Sequence, residues 1–195
     1  MGYKVGCTSP TIRKNLRIDH PVYGRLFKSD CWPSGKRLPI TQFCGLAIEG
    51  ELAVRLARDL PIVETWEGIA DAIEAVFPVI ELHNLVFRRG EPSADELIAN
   101  NAIHAGFISQ LRISIDDLHV VNLAGTELAD TVVHSLSWLA AELNRLGRNL
   151  RTGQTILCGS VADLIPISAG CQVSVTTDRF GSVECTISNG APSFF

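Results

Sequence analysis

Two carboxylates stand one residue apart in an apolar run, at Glu49 and Glu51. The run 47–54 alternates as a β-strand does, so both glutamates point to one face with their Cα atoms roughly 6.6 Å apart. The opposite face carries Leu46, Ile48, Leu52 and Val54. A third carboxylate, Glu81, lies inside the apolar run 78–82. Because a buried carboxylate is costly unless a cation compensates it, the three acids predict a site for a hard divalent cation.

Spacing alone leaves other interpretations of these residues open. A Glu-x-Glu pair on an amphipathic strand also forms an ordinary solvated face. Lys4, set beside Val5 between two glycines, is either a surface lysine or an ammonium that points into a site. His83 would share the face of Glu81 and serve as a ligand, as a base or as a hydrogen-bonded edge residue. Motifs elsewhere in the chain are needed to choose between these interpretations.

The composition is that of a globular protein that handles small molecules. The 195 residues are 46% hydrophobic and 19% charged, which suits one domain with a sizeable core. The net charge is −4 and the basic residues are scattered, so the sequence shows no positively charged patch that would bind nucleic acid or an anionic membrane. Six cysteines without a C-x-x-C pair, no secretory signal and no apolar run of bilayer length predict a reduced, cytoplasmic protein.

Periodicity and capping signals predict a mixed chain of helices and strands. Helices are predicted at 10–16, 66–76, 94–106 and 133–146. Strands are predicted at 2–9, 23–27, 47–54, 78–82, 120–123, 155–158, 171–175 and 182–187, with a loop at 31–39 and a turn at Gly125. The order does not follow a βαβ alternation, and the sequence contains no phosphate-binding glycine loop and no serine-hydrolase elbow.

Short motifs follow one another over nearly the whole chain. They are Gly2-Tyr3-Lys4-Val5-Gly6, Thr8-Ser9, Tyr23-Gly24, Glu49-x-Glu51, Asp59-Leu60-Pro61, Pro78-x-x-Glu81, Trp138-Leu139-Ala140 and Cys158-Gly159-Ser160. In this order they resemble the 2-keto-4-pentenoate hydratase/4-oxalocrotonate decarboxylase branch of the fumarylacetoacetate hydrolase superfamily. The resemblance implies a single domain over residues 1–195 of the α+β class, a mixed β-roll with flanking helices.

The resemblance also implies an activity, a lyase (hydratase) of aromatic-compound catabolism. Its cofactor would be Mg²⁺ or Mn²⁺, held by Glu49, Glu51 and Glu81. Its substrate would be a small unsaturated 2-oxo or 2-hydroxydienoic acid such as 2-hydroxypenta-2,4-dienoate, with Lys4 as the catalytic group. From the residues themselves, Ser160 after Gly159 and His104 near Asn100 and Asn101 are predicted substrate contacts, although Gly-Ser is also an ordinary turn pair. A metal ion on a 2-oxo acid stabilises the enolate that forms when the carbon skeleton is protonated, hydrated or cleaved, and a nearby ammonium adds to that stabilisation.

The sequence departs from the family pattern in ways that keep alternatives open. Family members usually carry some tens of largely helical residues before the Gly-Tyr-Lys motif, with which this sequence begins. Val22 stands where hydratases often have an acid, and a valine cannot move a proton. Further departures are Asn100, Asp130, Val132 and Cys171. The alternatives are decarboxylation of an oxalocrotonate-type acid, C–C hydrolysis of an acylpyruvate, and a catalytically weak homologue that acts as a binding or assembly subunit. We expect a homo-oligomer.

Overall fold

The computed structural model describes residues 1–61, 65–87, 92–109, 126–160, 164–177 and 180–190. The helices are α1 (Pro10–Leu16), α2 (Trp66–Asp71), α3 (Ala94–Ala99) and α4 (Thr126–Arg145). The strands are β1 (Gly2–Gly6), β2 (Val22–Leu26), β3 (Cys31–Pro33), β4 (Lys36–Pro39), β5 (Leu46–Leu56), β6 (Ile73–Asn84), β7 (His104–Ser109), β8 (Thr155–Ser160), β9 (Ile165–Pro166), β10 (Cys171–Thr177) and β11 (Gly181–Ser188). Among these residues, no helix is long and apolar enough to cross a bilayer.

A curled sheet carries the candidate residues. Within the described ranges it has eight strands, in the order β2-β1-β8-β5-β6-β7-β3 with β9 paired to β5. Three strand spacings separate β1 from β6, which is about 14 Å in a flat sheet. Nevertheless, Nζ of Lys4 on β1 lies 2.8 Å from Oε1 of Glu81 on β6. The sheet is therefore strongly curved, and its inner face surrounds the candidate site.

The outer face of this sheet is covered by different layers at its two ends. At one end, Leu46 and Ile48 of β5 pack in a core shared with the second sheet, which has the strand order β10-β11-β4. At the other end, Leu52 and Val54 pack in a core shared with Leu139 of α4. The predicted alternation along 47–54 is thus confirmed, because its apolar side fills these two cores while its carboxylates face inward.

Apolar residues also form the floor of the curl, on the same face of β5 and β6 as the carboxylates. Ala53, Phe77, Val79 and Phe107 pack there in a buried cluster. Burying a large apolar side chain contributes about 1.5–3 kcal/mol. The carboxylates therefore project from two long, well-packed strands rather than from loops.

Several sequence signals for helix ends are confirmed. Thr65 caps α2 by accepting a hydrogen bond from the backbone N–H of Gly68. Ser93 and Glu96 form the predicted capping box at the start of α3. The long helix α4 ends before Gly147, which has a φ of 68° as a residue just past a helix often does.

Two predicted helices are too long, because tertiary pairing overrides the local pattern. The helix predicted at 66–76 ends at Asp71, and from Ile73 the chain pairs with β5, where its β-branched and aromatic residues fit. The helix predicted at 94–106 ends at Ala99, and His104–Ser109 pair with β6. Helices this short are marginal on their own.

The predicted loop at 31–39 is also wrong, since it contains β3 and β4. Each pairs in parallel with a strand distant in sequence, β3 with β7 and β4 with β11. Both lie at sheet edges, where their prolines are tolerated. The strand predicted at 120–123 and the turn at Gly125 lie outside the described residues.

Candidate metal centre

Strand register brings two of the predicted carboxylates face to face. Glu49 on β5 pairs directly with Glu81 on β6, and Glu51 follows Glu49 on the same face. Like charges directly opposite one another destabilise a sheet. Glu81 has no exposed surface and Glu51 is 2% exposed, so bulk water does not compensate their charge. The cluster therefore requires positive charge nearby.

Lys4 supplies one such charge. Its Nζ lies 2.8 Å from Oε1 of Glu81 and donates a hydrogen bond to the carbonyl of Ala102 at 3.3 Å. Burial alone would lower the pKa of Lys4, but the charges of Glu81 and Glu51 outweigh it and the pKa lies above its ordinary value. Burial would raise the pKa of Glu81, but the charge of Lys4 leads the opposing contributions and that pKa is lowered. The pair is thus an ammonium with a carboxylate.

Glu51 is held differently. Its Oε2 accepts a hydrogen bond from the backbone N–H of Gly159 at 3.3 Å. Burial, followed by the charge of Glu81, raises the pKa of Glu51 well above the ordinary value for a glutamate. A single lysine therefore does not compensate all three acids.

Unpartnered polar atoms in the cluster test whether a metal ion fits. Among the described residues, no hydrogen-bond partner is found for Oε2 of Glu81, for either ring nitrogen of His83 or for Nε2 of His104, all of them buried. Ligand atoms of Glu49, Glu81 and His83 lie within 4.8 Å of one another. Buried acceptors without partners are costly, and a shared cation would satisfy them. The donor set therefore fits a divalent ion. Glu51 lies beside this group, and its role as a third carboxylate ligand stays a prediction.

A cavity of about 670 Å³ opens onto the cluster. Its polar lining includes Lys4, Glu49, Glu51, His83, Thr8, Ser9, Asn15 and Ser160. Its hydrophobic lining includes Ile12, Leu16, Val22, Leu97, Ile103 and Leu164. The cavity thus offers charged groups for an acid function and an apolar wall for a hydrocarbon chain.

The two predicted substrate contacts lie in different places. Ser160 lines the cavity, is paired with Glu51 across β5 and β8, and donates to the carbonyl of Gly50 at 3.4 Å. The side chain of His104 is fully buried, with Nδ1 2.6 Å from Oε1 of Glu81, and His104 is not among the described residues that line the cavity. Contact of either side chain with substrate stays a prediction.

A left-handed turn beside Lys4 was missed by the sequence analysis. Asn101, Ala102 and Ile103 have φ values of 53°, 54° and 57°. That conformation costs roughly 1–2 kcal/mol per residue for an L-amino acid. The side chain of Asn101 secures the turn, since Oδ1 accepts from the N–H of Arg25 at 2.7 Å and Nδ2 donates to its carbonyl at 2.9 Å. The turn presents the carbonyl of Ala102 to Lys4.

Two glycines permit close backbone approaches at the site. A Cβ at Gly24 would lie 2.6 Å from the carbonyl oxygen of Asn101 and 3.1 Å from Cγ of Lys4. At Gly159, φ is 102° and a Cβ would lie 2.7 Å from Oγ1 of Thr8. Both glycines belong to motifs noted in the sequence, Tyr23-Gly24 and Cys158-Gly159-Ser160. Those glycines were the available signal that other chain segments pack tightly here.

Sequence comparison relates the chain to hydratases along nearly its whole length. No protein-family model matches it. It is 28% identical over 202 residues to a 2-keto-4-pentenoate hydratase of Burkholderia vietnamiensis, covering 95% of this chain and 77% of that protein. It is also 28% identical over 206 residues to a 2-oxo-hept-4-ene-1,7-dioate hydratase of Escherichia coli, covering 94% of this chain and 77% of that protein.

Solved structures share the fold. The 4-oxalocrotonate decarboxylase from Pseudomonas putida G7, complexed with magnesium and adipate, matches with a TM-score of 0.83 at 22% identity over 95% of this chain and 77% of that one. The fumarylpyruvate hydrolase from Pseudomonas aeruginosa, in complex with Mn²⁺ and pyruvate, matches with a TM-score of 0.67 at 13% identity over 95% of this chain and 88% of that one. The predicted α+β class is confirmed. Its sequence relatives and its fold together support the resemblance of the chain to the 2-keto-4-pentenoate hydratase/4-oxalocrotonate decarboxylase branch of the fumarylacetoacetate hydrolase superfamily.

Proposed function

We propose that the protein is a divalent-metal-dependent lyase that hydrates a small unsaturated 2-oxo or 2-hydroxydienoic acid, such as 2-hydroxypenta-2,4-dienoate, in the catabolism of aromatic compounds. The observation that carries the proposal is the cavity in which carboxylates, a lysine and an unpartnered histidine meet. The hydratase names of its relatives indicate an enzyme and support hydration. They favour an enzyme over the alternative of a non-catalytic assembly subunit.

Mg²⁺ or Mn²⁺ is the cofactor that this donor set favours. Glu49 and Glu81 would hold the ion, with Glu51 as the predicted third carboxylate, because hard divalent cations prefer oxygen ligands. Structural neighbours were solved with magnesium and with Mn²⁺. When bound, such an ion acts as a Lewis acid towards the 2-oxygen and carboxylate of the substrate.

Lys4 is proposed to stabilise negative charge that develops on the substrate. Lys4 is 2% exposed, and its ammonium is fixed by Glu81 and by the carbonyl of Ala102. A charge already oriented in a cavity shielded from water stabilises a developing oxyanion without the cost of reorganisation. The same Nζ contacts the cluster directly and can hold a proton for transfer to the carbon skeleton.

The hydrophobic part of the cavity supports a short hydrocarbon substrate. Ile12, Leu97 and Ile103 line it and would exclude water from an unsaturated chain. The acid end of the substrate would then lie towards Lys4 and the glutamates, which fixes its orientation. A 2-oxo acid with an apolar tail satisfies both halves of the cavity.

Decarboxylation of an oxalocrotonate-type acid is the second candidate, and one observation favours it. Val22 is 3% exposed and lines the cavity, but it offers no proton. Hydration requires a group that delivers a proton to carbon. Decarboxylation depends mainly on a group that accepts the electron pair left on the substrate when CO₂ departs. Hydrolysis of an acylpyruvate is the third candidate.

Turnover of the three substrate types by the metal-loaded protein tests the proposal. We expect Mn²⁺ to support loss of the conjugated absorbance of 2-hydroxypenta-2,4-dienoate at about 1 per second or faster. A chelator should abolish this activity and added Mn²⁺ should restore it. Release of CO₂ from an oxalocrotonate-type acid without hydration of the dienoate would favour the second candidate. If the metal-loaded protein turns over none of the three substrate types, the proposal is overturned.

Three further properties stay predictions: a homo-oligomeric assembly, one domain over residues 1–195 and a cytoplasmic location.

A further inference from the structure

His83 is a buried side chain whose ring nitrogens have no hydrogen-bond partner among the described residues. Its side chain is 2% exposed, and it follows Glu81 by two residues on β6, so both point to the same face. A neutral imidazole carries one donor and one acceptor, and buried polar atoms of proteins are nearly always paired. Two unpaired nitrogens in one buried ring therefore call for a ligand.

The spacing around Nε2 of His83 resembles adjacent positions around a metal ion. Nε2 lies 3.2 Å from Oε2 of Glu49 and 3.5 Å from Oε2 of Glu81. Neither close contact has hydrogen-bond geometry, since Nε2 and Oε2 of Glu81 are both without a partner. Neighbouring ligands of an octahedral ion with bonds of roughly 2.1 Å lie about 3 Å apart. The three atoms are thus close, unbonded and able to share one cation.

We propose that Nε2 of His83 is a ligand of the metal ion, beside Glu49 and Glu81. The inference rests on the proposed metal site and concerns which atoms hold the ion. Nothing in the resemblance or in the names of the relatives assigns this residue a role. Glu51, whose Oε2 accepts a hydrogen bond from the N–H of Gly159, stays the predicted third carboxylate.

A nitrogen ligand changes which ions the site favours. Mg²⁺ prefers carboxylate, carbonyl and water oxygens, whereas imidazole favours first-row transition ions, with affinity rising from Mn²⁺ to Co²⁺. A site built only from carboxylates gives less of this preference. With His83 as a ligand, the protein should therefore select Co²⁺ and Mn²⁺ over Mg²⁺.

Electron spin echo envelope modulation of the Mn²⁺-loaded wild-type protein tests the inference without measuring activity. A directly bound imidazole nitrogen produces ¹⁴N modulation, and we expect to observe it. Mn²⁺ bound without ¹⁴N modulation would overturn the inference and leave the proposed metal-dependent function standing. Failure of the protein to bind Mn²⁺ would overturn both.

Two variants assign the nitrogen to a residue. We expect His83→Gln to lose the ¹⁴N modulation, while His104→Gln, which replaces the other imidazole beside Glu81, retains it. Modulation that persists in His83→Gln would overturn the inference. Circular dichroism of each variant checks that it folds. Where His83→Gln does not fold, an absence of ¹⁴N modulation in the Mn²⁺-loaded wild-type protein still overturns the inference, and loss of the modulation in a folded His104→Gln would overturn it as well.

Titration calorimetry measures the ion preference. Loss of a ligand should cost at least as much as loss of an outer-shell partner, so His83→Gln should weaken Co²⁺ binding by about tenfold or more. Mg²⁺ binding should weaken less, because Mg²⁺ readily takes an oxygen from Gln or water instead. An equal loss for both ions would contradict a nitrogen ligand.

Discussion

At the scale of single residues, the site depends on the balance between two buried charges, those of Lys4 and Glu81. Lys4 and Glu81 form an ion pair that neither bulk water nor another described lysine or arginine shares. Burying two charges is repaid only when their geometry and hydrogen bonds are good. Here the carbonyl of Ala102 and the ring of His104 complete that geometry. The pair places a fixed positive charge at the metal-binding face of the cavity.

Replacement of Lys4 by methionine should lower kcat by roughly 10²–10³, the cost of removing one preorganised donor to a developing oxyanion. Steady-state kinetics with saturating Mn²⁺ measures the effect. Lys14→Met changes an exposed lysine of α1 and serves as the matched control. If Lys4→Met retains wild-type kcat, the proposed role of Lys4 is wrong.

The same substitution should also destabilise the metal-free protein. It leaves Glu81 charged and buried without its ammonium partner, which costs about 3–5 kcal/mol in comparable buried pairs. Urea unfolding of Lys4→Met and of the double variant Lys4→Met/Glu81→Gln measures this cost. We expect the second change to recover part of the lost stability, and a double variant less stable than Lys4→Met would contradict the argument.

At the scale of elements, β5 and β6 position the acids and the turn 101–103 positions the lysine. The strands are long, centrally placed and packed on both faces, so they present their side chains precisely where register puts them. The turn instead stores backbone strain, which its contacts with β2 offset. Substitutions in this turn should therefore change the stability of the protein measurably.

Asn101→Ala should destabilise the protein by about 1–3 kcal/mol, because it removes both hydrogen bonds to Arg25 and leaves a left-handed residue with a Cβ. Asn101→Gly also removes those hydrogen bonds but adopts the left-handed conformation without penalty, so it should be the milder change. Thermal unfolding of the pair separates the two effects. Equal stability of the two variants would show that backbone strain contributes nothing at this turn.

Local sequence patterns predicted where helices and strands occur better than they predicted which strands pair with one another. The alternation at Glu49 and Glu51, the capping box at Ser93 and the start of the long β5 strand are properties of adjacent residues. The pairing of Glu49 with Glu81 depends on register, which the sequence between them does not reveal. The contact of Lys4 with Glu81 depends on curvature accumulated over several strands.

His83 shows the same limit within the candidate site. Its face was predictable from its spacing of two from Glu81, but its burial and its closeness to Glu49 were not. A histidine two residues after an acid is common in ordinary strands. Only the three-dimensional packing shows that both nitrogens lack described partners.

At the scale of the whole molecule, Asp59 links the end of β5 to the segment before β8. Its Oδ1 accepts from the N–H of Thr152 and its Oδ2 lies next to Nη1 of Arg151, both at 2.7 Å. The hydrogen bond from Thr152, followed by that from Arg151, lowers the pKa of Asp59. A lowered pKa in the folded state means that the carboxylate stabilises the fold above its unfolded pKa, and that this contribution is lost as pH falls through the folded value.

Asp59→Asn should therefore lower Tm at about pH 7, and the difference from wild type should shrink as the pH falls below the unfolded aspartate pKa of about 3.9. Scanning calorimetry across this range measures the difference. Arg151→Gln removes a charge partner of Asp59 and should show the same trend to a smaller extent. A difference in Tm that does not change with pH would contradict the assignment.

The central claim is that a divalent metal ion binds between β5 and β6 at the carboxylates. Anomalous diffraction at the manganese edge, from crystals grown with millimolar Mn²⁺, tests it most directly. We predict one peak within bonding distance of Glu49, Glu81 and Nε2 of His83, and its distance to Glu51 tests the predicted third carboxylate. Absence of a peak at this position, with the crystals otherwise ordered and the cavity accessible, would contradict the account.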